Sequence, residues 1–105
     1  MNDREVCKHA IVKFGPQSQI DMCIEECSEL INALEKYRRG RNKKDDVITE
    51  IADVQIMCEQ MQELFGTIAV AVERDRKIRR LIERIEKPEP ARTANSGDNN
   101  TKKNL

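Results

Sequence analysis

The apolar residues of this chain recur at alternating intervals of four and three, and the rhythm breaks only at Gly15-Pro16, Gly40, Gly66 and Pro88. Ile20, Ile24, Cys27, Ile31 and Leu34 keep it between the first two breaks. Val47, Ile51, Val54, Cys58, Met61 and Phe65 keep it between the next two. Ile68, Ala71, Ile78, Ile82 and Ile85 continue it, with Asp75 standing in the row. Such an interval keeps one face of an α-helix toward a neighbour, whereas a strand needs a period of two. The breaks are helix terminators: glycine tolerates the left-handed exit from a helix, and proline fits the first turn of the next. The pattern predicts four helices, over about 3–14, 16–39, 43–65 and 67–86, with Asn42 capping the third and Thr67 the fourth. The rows named above are the expected packing seams, and the short links make neighbours antiparallel. The second and third helices should each run roughly 30 Å.

The fold expected is therefore an all-α antiparallel bundle of about four helices in one domain, residues 1–86. Its core should be thin for 105 residues, which favours association into a homodimer or homotetramer. Residues 87–105 are polar, hold two prolines and have Leu105 as their one large apolar side chain, so they read as a disordered tail. No apolar run approaches the ~20 residues of a membrane span, and the opening MNDREVCKHA lacks a signal-peptide stretch. With 19 Lys+Arg against 19 Asp+Glu, and Phe14, Phe65 and Tyr37 as the aromatics, nucleic acid is an unlikely partner. Cys7, Cys23, Cys27 and Cys58 read as reduced thiols of a cytoplasmic protein. Cys23 and Cys27 are spaced to share a soft metal, but His9 is the single histidine and zinc needs further ligands, so buried thiols are expected. There is no Gly-rich phosphate loop and no setting for a catalytic triad.

Carboxylates on the wrong face carry the functional reading. At about 100° per residue, Glu26 lies beside Cys23, Leu30 and Ala33, and Glu50 among Val47, Val54 and Met57. An ionised carboxylate at the margin of an apolar arc is costly unless something satisfies it. Glu29 and Asp53 follow one turn later, so each helix presents an acidic pair. Antiparallel packing brings the four together, with no Lys or Arg on those faces to balance them. A hard divalent cation such as Mg²⁺ would, and would still accept phosphate oxygens from a substrate.

Glu25-Glu26-Cys27-Ser28-Glu29 followed by Glu50-Ile51-Ala52-Asp53 resembles the EExxE…ExxD signature of the MazG-like nucleotide pyrophosphohydrolases, all-α NTP pyrophosphatases related to the dimeric dUTPases. Residues 30–49 between the halves fit a helix-loop-helix connection, and Phe14-Gly15, Gln19, Glu29-Leu30 and Ala52-Asp53-Val54 are similar to the flanking text of small members. The resemblance covers about residues 8–86. It implies a helical dimer or tetramer that uses Mg²⁺, with Mn²⁺ as a possible substitute. The implied reaction hydrolyses a nucleoside triphosphate to monophosphate and pyrophosphate, as in nucleotide-pool house-cleaning. Glu26, Glu29, Glu50 and Asp53 are the implied metal ligands. Glu29 is the expected general base. Glu25 turns away by about 100° and is left either to support the ligands or to bind a second ion. The alternative is a non-catalytic helical module that binds a nucleotide or a protein.

Two basic regions remain. Arg38, Arg39, Arg41, Lys43 and Lys44 join the acidic helices and could contact a triphosphate, though a solvated loop is the default reading. On the fourth helix Lys77 and Arg80 are candidate phosphate ligands. Asp75 could pair with a basic residue, bond across an oligomer interface, or approach the metal.

Overall fold

A computed structural model describes residues 1–88; the rest of the expected tail, 89–105, lies outside the described residues. Those residues form four α-helices and no strand: α1 (Asp3–Phe14), α2 (Pro16–Arg38), α3 (Lys44–Phe65) and α4 (Thr67–Glu86). No helix among them is long and apolar enough to cross a membrane. The chain divides into two units, Met1–Thr67 and the part from Ile68 onward.

In the first unit, Asn2 starts α1 by accepting the Glu5 N–H on its side chain, 2.9 Å away. Pro16 occupies the first turn of α2, after Gly15 has turned the chain. The third helix begins one residue later than Asn42 would start it. Lys43 is its N-cap, and its N–H donates to the Asp46 carboxylate at 2.9 Å. Asn42 instead reaches back, its Nδ2 donating to the Ala33 carbonyl at 3.1 Å.

α2 and α3 form the main contact, an antiparallel hairpin, and α1 packs on both. Residues early in α2 meet residues late in α3: Gln19 Nε2 donates to Gln60 Oε1 at 2.5 Å. Arg4 ties α1 to Glu63 of α3 at 2.7 Å, and the Cys7 thiol faces Glu59.

The expected seams are displaced. The inward row of α2 is Gln19, Cys23, Glu26, Leu30 and Ala33, while Ile24 and Ile31 are 62% and 63% exposed. On α3 the inward row is Val47, Glu50, Val54, Met57, Met61 and Leu64, and Phe65 is 69% exposed. Each helix carries two adjacent apolar rows, and the periodicity alone does not say which one meets its neighbour. The row that packs inside one chain has the smaller and more polar side chains. The buried set is correspondingly small, Cys7, Ala33 and Met57 with Gln19 and Gln60. The thin core expected from chain length is what is found.

The second unit, as described, is α4 from Ile68. None of its residues is buried. Asp75 pairs within the helix with Arg79, at 2.9 Å, which is the first of its three readings. Glu73 pairs likewise with Arg76.

Candidate metal centre

Three-residue spacing on α2 and antiparallel packing on α3 together assemble the site. Carboxylate oxygens of Glu26, Glu29 and Glu50 lie within 4.8 Å of one another. Glu26 and Glu50 are half-buried and Glu29 is exposed, so the triad is a wall with one open side. One oxygen each of Glu26 and Glu50 (both Oε2) is buried without a hydrogen-bond partner. Among the described residues, no Lys or Arg forms an ion pair with any of the three.

The electrostatic cost is visible. Withdrawal from water first, then the charges of Glu29, Asp53 and Glu50, push the Glu26 carboxyl above its ordinary range. Withdrawal from water, followed by Glu29 and Asp53, does the same to Glu50. Asp53 thus stands close enough to be felt by both, although it lies outside the triad itself. Glu25 is exposed and also outside it.

The donor set is all oxygen, anionic and partly orphaned. It fits a hard cation of the magnesium or manganese kind, which would satisfy the two buried oxygens and relieve the repulsion. It does not fit a soft metal. Burial, then Cys27 and Cys58, push the nearby Cys23 thiol up to about 11, so that it stays protonated at neutral pH.

A cleft of about 640 Å³ opens beside the triad, between the C-terminal half of α2, the loop and the N-terminal half of α3. Glu29 and Glu50 line one part of it, Asn32 and Thr49 the middle, and Lys36 and Arg41 the part toward the loop. Of the five cations singled out around the loop, Arg41 alone lines this cleft. Lys36 went unremarked in the sequence, yet it falls seven residues after Glu29 and so on the same helix face. Lys77 and Arg80 stand exposed on α4, in the second unit.

Compared with family models, with curated proteins and with solved structures, the chain matches none of them.

Proposed function

We propose that this protein is a Mg²⁺-dependent nucleoside triphosphate pyrophosphohydrolase of the MazG-like kind. The observation that carries the reading is the pair of buried, unpartnered oxygens on Glu26 and Glu50, aligned with Glu29 and unopposed by any cation of the described chain. Carboxylates left in that state cost stability, so a ligand that repays them is the economical explanation.

Glu26, Glu29 and Glu50 would hold the ion, and Asp53, whose charge reaches both buried carboxyls, would complete the set. Magnesium, when bound, neutralises phosphate charge and makes an attacking water more acidic. In the reaction the water oxygen bonds to the α-phosphorus. The bond from that phosphorus to the α,β-bridging oxygen breaks, and the bridging oxygen leaves with its electron pair on diphosphate. Glu29, on the open side of the triad, takes the water's proton and returns it to solvent. Glu25, exposed on the next face of α2, remains a candidate to support the ligands or to bind a second ion. Lys77 and Arg80 remain candidates for phosphate contact from α4.

The exposed row of Ile24, Ile31 and Leu34 supports self-association, because a second copy would cover it and enlarge a small core. A reducing compartment such as the cytoplasm suits the four cysteines, all of them free thiols.

The decisive experiment is a panel of standard and modified nucleoside triphosphates, assayed for pyrophosphate and monophosphate with and without Mg²⁺. Metal-dependent release of both products is expected. Thermal stabilisation by nucleotide with no turnover would replace this reading with the binding-module one.

A further inference from the structure

We propose that Lys36 and Arg41 form a subsite for a diphosphate group, the one that departs when the triphosphate is cleaved. The inference rests on the reading of the acidic triad given above.

The end of α2 builds this subsite. Gly40 takes a φ of 72°, which an L side chain rarely adopts, and its N–H donates to the Tyr37 carbonyl at 2.9 Å. The next N–H, that of Arg41, donates to the Lys36 carbonyl at 2.8 Å. Together these are the two bonds of a Schellman ending, which folds the chain back on its own helix. Arg41 is thereby tied to Lys36, and the Asn42 side chain, bonded to the Ala33 carbonyl, holds the returning strand in place. Both cations reach the cleft that Glu29 and Glu50 also line.

Two of their neighbours are already engaged. Arg38 and Arg39 both pair with Glu35, at 2.6 and 3.7 Å. Lys36 and Arg41 pair with no acid among the described residues. Asp46 also lines the cleft and keeps its negative charge there, its carboxylate accepting the Lys43 N–H.

Charge gives the direction. Away from the loop, the triad is followed by a further anion, half-buried Asp53, and then by the neutral Cys23, Met57, Gln19 and Gln60. Toward the loop two cations, Lys36 and Arg41, outnumber the one acid, Asp46, that lines the cleft there, and Lys36 lies about 10 Å along the axis from Glu29. A leaving diphosphate carries most of the negative charge that develops, so it points toward the loop. Lysine offers a compact charge there and arginine a planar fork, a pairing suited to phosphate oxygens.

The test is calorimetric titration of inorganic pyrophosphate with Mg²⁺ into the full chain and into Lys36→Gln, Arg41→Gln and the double variant. Affinity should fall roughly tenfold for each cation removed, the size of one charge-assisted hydrogen bond. Lys36→Arg and Arg41→Lys should restore most of it, which separates charge from folding. In parallel, the double variant should show a raised KM for triphosphate and weaker inhibition by pyrophosphate. No pyrophosphate binding to the unmodified protein, or equal binding to the double variant, overturns the subsite. Cation-dependent pyrophosphate binding by a chain that hydrolyses no triphosphate would keep the subsite and discard the hydrolase. Triphosphate hydrolysis with pyrophosphate affinity indifferent to both cations would do the reverse.

Discussion

Two polar rungs cross the same α2–α3 interface and have opposite fates. Gln19 and Gln60 are each 6% exposed, yet Gln19 Nε2 donates to Gln60 Oε1 and Gln60 Nε2 to Met57 Sδ, so neither amide is left without a partner. Glu26 and Glu50 meet the same interface further along, and each keeps a buried oxygen with nothing bonded to it. Amides carry donor and acceptor together and can satisfy each other, whereas carboxylates carry only acceptors when ionised. A rung of amides is therefore complete in the bare chain. A rung of carboxylates is complete only with a cation or a proton, and that difference is what makes Glu26 and Glu50 the candidate site.

The largest expected effect lies on the acidic rung. Glu50→Gln or Asp53→Asn should reduce Mg²⁺-dependent pyrophosphate release by roughly a hundredfold or more, the usual scale for losing a charge-stabilising group at a reacting centre. Circular dichroism should show the helices intact. Full activity in either variant would erase the contrast between the rungs.

Next comes the amide rung, where the loss should be of stability and not of chemistry. Gln19→Leu strands the Gln60 amide in the interface and should cost about 1–3 kcal/mol by denaturant unfolding. Activity per folded molecule should be retained. The double change of Gln19 and Gln60 to Leu and Met should recover much of the loss, since no buried polar group is then left over. A single variant that folds normally but is inactive would make the amides part of the site.

A smaller effect is expected at the turn. An added methyl at Gly40 meets nothing within 4 Å, so Gly40→Ala should cost only backbone strain, about 1 kcal/mol. It should also loosen Arg41 and weaken pyrophosphate binding, measured alongside the stability.

The smallest effect is a slope. Both Glu26 and Glu50 have folded-state pKa values above the ordinary 4.5. Their contribution to stability is thus full below about pH 4.5, where folded and unfolded chains are both protonated, and is lost as pH rises through the folded values. In EDTA, melting temperature should fall between pH 4.5 and 7 more steeply for the natural chain than for Glu26→Gln/Glu50→Gln. Saturating Mg²⁺ should flatten the slope of the former alone. Equal slopes in EDTA would mean that the carboxylates carry no stored repulsion.

Much of the fold is legible in the sequence. Gly15-Pro16, Gly40 and Gly66 end helices where their backbone chemistry says they should. The acids at the margin of an apolar arc announced themselves by spacing, and Glu26, Glu29 and Glu50 do converge. What the sequence withheld has physical reasons. A 4-3 row specifies a face only to within one neighbouring row, so Ile24 and Ile31 were assigned inward although they point out. Asn42 looked like a cap because caps and loop clamps use the same side chain. Lys36 was hidden because a lysine near a helix end is ordinary; only the chain reversal after Gly40 makes it a partner of Arg41.

The self-satisfied amide pair has a further consequence. Slide α3 by one turn along α2 and both amides lose their bond in a place water cannot repair. The same slip would carry Glu50 away from Glu29. Gln19 and Gln60 therefore act as an alignment pin: a bond between two uncharged side chains holds the register in which the three acids converge.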